Sequence, residues 1–290
     1  MMTVFILPFI FMKRKLDKSL MNGSVVLFLL WLSGCVAKSG HELRFEDSQR
    51  MNAPTLSISG TEDEVFSFLF VGDMHFGGAD TSRLQTVLQA AKTHDDAFVV
   101  FLGDMIDQGQ RADYEAFQKV VNDNGFREKV LYVIGNHDIF DNGWSAFREL
   151  MGPSHYSVQI GNCKFVTVDS ADGVVGEKQT QWIKEQLTGV SDSSHLFLLS
   201  HYMPFIPEQR TYLKLSNETE AVELMKMMSR FGVEAWLGGH YHSFERESID
   251  GVNYIVAGGG GGRRMNPIKD LFYVRANVQK DKVTYELQRF

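Results

Sequence analysis

From Val65 onward the chain alternates short apolar runs with amphipathic stretches. Phe66–Val71, Ala97–Leu102 and Val130–Ile134 are nearly continuous in apolar residues, the pattern of strands buried on both faces. Between them Leu84, Val87, Leu88 and Ala91, and then Tyr114, Phe117, Val120 and Val121, recur at helical spacing. Strand and helix in strict alternation predict parallel βαβ units and an α/β domain. The second half opens with a hairpin, Tyr156–Ile160 and Lys164–Val168 about Gly161-Asn162, followed by a helix over Gln179–Leu187. Apolar strands at His195–Leu199 and Val233–Leu237 enclose a helix marked by Ala221, Leu224, Met225 and Met228. Val252–Ala257, Leu271–Ala276 and Val283–Leu287 supply the last strands, and with no internal repeat the pattern reads as one domain over 65–290.

The N-terminus has a different pattern. Lys13, Arg14, Lys15 and Lys18 precede the apolar run Val25–Leu32, which is shorter than the roughly 20 residues that a membrane-spanning helix needs. Leu32-Ser33-Gly34-Cys35 follows at once and resembles the bacterial lipobox, in which the cysteine sulfur receives lipid before cleavage. Residues 1–34 are therefore predicted to be a lipoprotein signal peptide, with 1–11 an upstream start, and Cys35 the lipidated first residue. Residues 35–64, polar and aperiodic, read as a flexible tether. The predicted location is the cell envelope, anchored at the periplasmic face of the outer membrane, because Val36 is not an aspartate retention signal.

Charge narrows the partners. The whole chain carries a net charge of −7, and the first 34 residues hold four basic residues against one acidic, so the remainder stands at −10. Such a surface repels nucleic acid, and a phosphate-bearing partner needs a local positive centre. With only Cys35 and Cys163 present, and Cys35 consumed by lipid, no intramolecular disulfide is available.

The residues that could hold such a centre fall just beyond the C-terminal ends of the predicted strands, where open α/β sheets bind ligands. Gly72-Asp73-Met74-His75 follows the first strand, Gly103-Asp104-Met105-Ile106-Asp107 the second, and Gly135-Asn136-His137-Asp138 the third. Ser200-His201 and Gly238-Gly239-His240-Tyr241-His242 end two strands of the second half. The donors are nitrogen and oxygen without thiolate, which suits manganese, iron or zinc better than calcium.

In order and composition these five blocks resemble the calcineurin-like metallophosphoesterase superfamily. The resemblance implies a four-layer α/β/β/α sandwich of two mixed sheets and a dinuclear metal centre that hydrolyses phosphate mono- or diesters, with a bridging hydroxide as nucleophile. By matching position, Asp73, His75, Asp104 and His242 would hold one divalent ion, and Asp104, Asn136, His201 and His240 the other. His137 would contact phosphate or protonate the leaving group, with Asp138 accepting its other proton. Purple acid phosphatases place a tyrosine three residues after the bridging aspartate, and Asp107 stands there instead, so no tyrosinate-to-metal colour is expected. The implied partners are a phosphate-ester substrate and a membrane reached through lipid on Cys35, with no nucleic-acid surface and a monomeric chain. A tethered binding module that keeps the metal without turnover is the competing reading.

Other candidates have blander expectations. His41, His94, His155 and His195 lie outside the blocks and read as structural. Cys163 reads as a small strand hydrophobe, and Met225, Met227 and Met228 as packing. Asp107 is either a helix cap or a partner of a ligand imidazole. Gly258–Gly262 with Arg263 and Arg264 reads as a flexible turn rather than a substrate clamp.

Overall fold

Apolar runs buried on both faces need cover on both sides, and the computed structural model shows how they obtain it. It describes residues 38–56, 58, 65–77, 80–190, 195–206, 211–262 and 270–290. The segment predicted as a signal peptide, Cys35, Arg263 and Arg264 lie outside the described residues. In chain order the helices are α1 (Gly40–Ser48), α2 (Ser82–His94), α3 (Arg111–Asp123), α4 (Gly143–Leu150), α5 (Glu177–Leu187) and α6 (Glu218–Arg230). None of the described helices is long and apolar enough to cross a membrane.

One sheet of five strands has the order β11-β10-β1-β2-β3. Its parallel heart is β1 (Phe66–Val71), β2 (Phe98–Leu102) and β3 (Val130–Val133), with Phe68 opposite Phe98 and Phe101 opposite Tyr132. The last strands, β10 (Phe272–Gln279) and β11 (Lys282–Arg289), return antiparallel along its edge. The second sheet, of six strands, runs β4-β5-β6-β7-β9-β8. Here β4 (Tyr156–Ile160) and β5 (Cys163–Thr167) form the predicted hairpin, and β6 (His195–Leu199), β7 (Ala235–Gly238) and β9 (Val252–Ala257) continue parallel to β5. β8 (Phe244–Ile249) closes the far edge antiparallel to β9.

Three apolar clusters define four layers. Leu84, Val87 and Leu88 of α2, with Tyr114 and Phe117 of α3, cover the outer face of the first sheet. Ile183 and Leu187 of α5, with Leu224 and Met228 of α6, cover the outer face of the second. Between the sheets Phe68 stacks on Phe98 and Phe165 on Phe197, at centroid separations of 5.0 and 4.8 Å. The two stacks meet edge to face, Phe68 lying 5.3 Å from Phe165 and 5.6 Å from Phe197. The expected four-layer α/β/β/α sandwich of mixed sheets is the fold observed. Cys163 is fully buried, as expected of a strand hydrophobe.

Residues 39–50 correct the expected tether. Ser39 caps α1, its N–H donating to Glu42 Oε2 at 3.3 Å. Arg44 is buried and donates from Nε and Nη2 to the two carboxylate oxygens of Asp169 at 2.7 and 3.1 Å, with Nη2 also 3.0 Å from Asp172. Phe45 stacks on the His155 ring at 4.4 Å, and Trp144 Nε1 donates to Asp47 at 3.1 Å. The helix has no apolar stripe, since Leu43 is half exposed, and a hydrophobicity pattern cannot register a helix held by an ion pair. β8 escaped prediction for a related reason: it is an edge strand with Glu245, Arg246 and Glu247 in its middle, partly or fully exposed.

Two stability predictions follow from this docking surface. Arg44→Ala strands a buried Asp169 and should cost about 3–5 kcal/mol, read as a lowered denaturant midpoint at unchanged slope. Burial holds the His155 imidazole down at about 4, so it folds neutral. The unfolded imidazole titrates near 6.5, so the unfolded state binds more protons between the two values. Stability from this group is complete above about pH 6.5 and falls as pH drops towards 4, by up to about 3 kcal/mol. His155→Phe should flatten that limb of the stability profile; an unchanged limb would refute the assignment.

Candidate metal centre

Parallel strands of a sheet all point their C-terminal ends to one edge, and both sheets direct that edge to the same place. Asp73 and His75 follow β1, Asp104 and Asp107 follow β2, and Asn136, His137 and Asp138 follow β3; His201 follows β6, and His240 and His242 follow β7. Adjacent loops are tied through their backbones, Asp73 N–H to Gly103 carbonyl at 3.0 Å and His75 N–H to Asp104 carbonyl at 2.9 Å. Asp73, His75, Asp104 and His240 have φ of 61°, 44°, 50° and 65°. Side chains other than glycine rarely occupy this left-handed region, so each turn is strained and held by its surroundings. Gly103, at φ 86°, allows the closest approach, because a Cβ there would run into the His201 ring.

The ligand atoms of the seven predicted residues form two groups, and His137 also brings a ring nitrogen within 4.8 Å of His75 and Asp104. In the first, Asp73 Oδ1 is 3.2 Å from His242 Nε2 and 4.0 Å from His75 Nε2, and the two Nε2 atoms are 3.1 Å apart. In the second, Asp104 Oδ2 and Asn136 Oδ1 lie 3.2 and 3.1 Å from His201 Nε2, and His240 completes the group with Asp104 and His201. Asp104 Oδ2 is also 3.8 Å from His75 Nε2, which puts its carboxylate between the groups. All seven predicted ligand residues are thus brought together.

The donor set fits divalent cations on two counts. Lone-pair-bearing atoms converge at contact distances, an arrangement that needs a proton or a cation among them. The nitrogens that face away are fixed: His75 Nδ1 by Asp107 Oδ1 at 3.1 Å, His201 Nδ1 by the Leu102 carbonyl at 2.8 Å, and His240 Nε2 by the Tyr212 carbonyl at 3.0 Å. Each such partner fixes the tautomer that leaves the other nitrogen bare towards the centre. Asp107 is therefore the partner of a ligand imidazole, not a helix cap.

The carboxylates of the site favour a proton on His201. Burial alone would push His201 down, but Asp104 and Asp73 outweigh it and raise the imidazole to about 9. Burial likewise opposes ionisation of Asp104, and His201 reverses that, holding the carboxyl well below its usual range. His240 is pushed down to about 4 by burial and by the neighbouring His201.

His137 and Asp138 do not pair as expected. His137 Nδ1 donates to the Asp107 carbonyl at 2.7 Å, and Nε2 has no hydrogen-bond partner among the described residues. The fully buried Asp138 carboxylate instead accepts the N–H groups of Ile106 at 3.1 Å and Gly135 at 2.8 Å. It clamps the loops after β2 and β3 together and makes no hydrogen bond to the His137 ring. The turn sends neighbouring side chains in opposite directions, which sequence adjacency could not reveal. His137 N–H donates to Asp104 Oδ1 at 2.8 Å, so the backbone of the same turn also steadies the shared carboxylate.

Gly258–Gly262 is a second correction. The run is not a free turn: Gly260 N–H donates to Gly72 carbonyl at 2.9 Å and Gly262 N–H to Asp73 carbonyl at 3.1 Å. A Cβ at Gly262 would overlap the His242 ring. The glycines let backbone pack directly beneath the first ligand group. Cys163 and the structural histidines stand apart: His94 beside Asp96, His155 against Phe45 and Trp182, and His195 beside Glu234.

Residues 66–244 match the calcineurin-like phosphoesterase family. The chain is 24% identical over 237 residues, 75% of its length and 70% of the relative's, to the cAMP/cGMP dual specificity phosphodiesterase MT0825 of Mycobacterium tuberculosis (strain CDC 1551 / Oshkosh). It is 22% identical over 195 residues, 63% of its length and 75% of the relative's, to a probable cyclic nucleotide phosphodiesterase of Fibrobacter succinogenes. In fold it resembles the yellow lupin purple acid phosphatase PPD1, with a TM-score of 0.66 at 16% identity over 82% of this chain, while spanning about half of the lupin chain, 53%. It also resembles a dimetal phosphatase from Danio rerio, with a TM-score of 0.58 at 16% identity over 78% of this chain and 97% of that one. The matched span contains every ligand position from Asp73 to His242, and the chain belongs to the calcineurin-like phosphoesterase family.

Proposed function

We propose that the chain hydrolyses phosphate esters at two divalent ions, one held by Asp73, His75, Asp104 and His242 and the other by Asp104, Asn136, His201 and His240. The observation that carries this reading is the pair of ligand groups joined at Asp104 with the bare Nε2 of His137 alongside. Two ions there would supply a nucleophile by lowering the pKa of water and would offset the charge of the phosphoryl oxygens. The chain's own residues do the rest. Asp107 fixes the His75 ring through its carboxylate and the His137 ring through its backbone carbonyl. Because a carbonyl only accepts, the proton of neutral His137 sits on Nδ1, and Nε2 is the atom that carries a second proton to a leaving oxygen. His137 is 28% exposed, so a substrate can reach it.

A binding module without turnover has no use for an imidazole so prepared, which favours the hydrolase. The relatives' names bring cAMP and cGMP into the substrate panel beside p-nitrophenyl phosphate and bis-p-nitrophenyl phosphate. We further propose that the mature chain is tethered through lipid on Cys35 to the envelope, a reading supported by the basic segment, the short apolar run and the tetrapeptide ending at Cys35.

The test is hydrolysis by the full chain in detergent, stripped of metal and reloaded with manganese, zinc or iron. Asp104→Ala should lose bound metal and activity together. His137→Ala should keep both ions and lose about 10²–10⁴-fold in kcat, the usual worth of a positioned general acid. Loss of metal from His137→Ala would make it a ligand and not a proton donor. Cys35→Ala should abolish fatty-acid labelling in cells, and labelling that persists would remove the anchor.

A further inference from the structure

The Arg44–Asp169 pair serves neither the ligand set nor the proton transfer, yet it grips the segment next to the second ligand group. Residues 169–173 continue from β5 along the site edge. Asp169 is fixed from three sides: by Arg44, by Gln179, whose Oε1 accepts its N–H at 2.9 Å, and by the Ala171 N–H, which its Oδ1 accepts at 3.1 Å. The next residue, Ser170, is fully buried, and its Oγ accepts the N–H groups of His201 at 3.2 Å and Tyr202 at 2.9 Å. Tyr202 in turn stacks on the His240 ring, centroids 3.8 Å apart and planes 27° from parallel. Both imidazoles of the Asp104 group therefore rest on a segment that α1 holds through Arg44. The Asp73 group takes its supports from the β1 and β2 loops, Asp107 and the glycine run, and shares one contact with the Asp104 group, the His240 N–H donating to Asp73 Oδ2 at 2.9 Å.

We infer that Arg44, carried on the N-terminal helix, is a positioning residue for the Asp104–His201–His240 half of the centre and not for the other half. Occupancy of one ion position then depends on the docking of α1, while the other is indifferent to it. This rests on the two-ion reading above. A merely structural role for Arg44 would lower stability without distinguishing the two positions.

A matched control is available. Arg275 and Asp96 form another buried two-pronged pair, Nε to Oδ1 at 2.9 Å and Nη2 to Oδ2 at 2.9 Å, where β2 begins and so at the opposite end of the sheet from the ligands. The full chain in detergent is stripped and titrated with Mn²⁺, with ions counted per chain and electron paramagnetic resonance separating a spin-coupled pair from isolated ions. The unaltered chain and Arg275→Ala should bind two ions as a coupled pair. Arg44→Ala and Ser170→Ala should bind one ion with unchanged affinity and the other about 10- to 100-fold more weakly, the usual effect of removing a partner behind a ligand. At Mn²⁺ concentrations that saturate the unaltered chain, their spectra should be those of isolated ions.

Unchanged binding of both ions in Arg44→Ala and Ser170→Ala overturns the inference, as does the same one-sided loss in Arg275→Ala. If Arg44→Ala does not fold, Ser170→Ala, which leaves α1 untouched, decides the outcome together with Arg44→Lys, which keeps the charge but not the two-pronged contact. An unaltered chain that binds fewer than two ions would remove the two-ion reading, and this inference with it.

Discussion

The packing of one sheet on the other through Phe68, Phe98, Phe165 and Phe197 fixes the geometry on which the centre depends. Asp73, His75, Asp104 and Asn136 hang from the first sheet, and His201, His240 and His242 from the second, so each ligand group draws on both. A core packed to crystal-like density does not slide, and offset and edge-to-face ring contacts have preferred separations. The distance between the sheets is set by aromatic rings well below the ligands, and the ligands inherit it.

From that constraint the local features follow. Loops leaving neighbouring strands must bend back towards the seam within two or three residues, and left-handed backbone at Asp73, His75, Asp104 and His240 is how they do it. Turns this tight would spring open unless held, and here the holding contacts are also those that orient the ligands. Asp138 ties two loops by their N–H groups, and Ser170 ties the His201 loop across to the segment after β5. The centre is thus less a set of seven side chains than a set of short backbone hydrogen bonds with side chains attached.

Much of this was legible in the chain. Strands buried on both faces carry continuous apolar runs, and β1, β2, β3 and β6 sit within a residue of where such runs predicted them, with metal-ligand residues just beyond each of them. What escaped has a common physical cause, which is that polar contacts leave no periodicity. α1 docks by Arg44 on Asp169, β8 is a charged edge, and Asp138 buries its carboxylate against backbone donors, although its position beside His137 suggested a catalytic partner. The glycine run misled in the opposite direction, because the same residue type that loosens a turn also permits backbone to lie against a ligand ring. A clue was present in its length: a turn needs one or two glycines, and a run of five invites the question of what presses against it.

The left-handed ligand positions also bear on how such a protein can change. Backbone strain of this kind costs on the order of 1–3 kcal/mol per residue, and glycine at the same position would relieve it. Thermal robustness and chemistry therefore pull in opposite directions at Asp73, His75, Asp104 and His240. A lineage screened only for heat resistance would find its easiest gains there, in substitutions that erase the centre, and would keep the sandwich while losing its purpose.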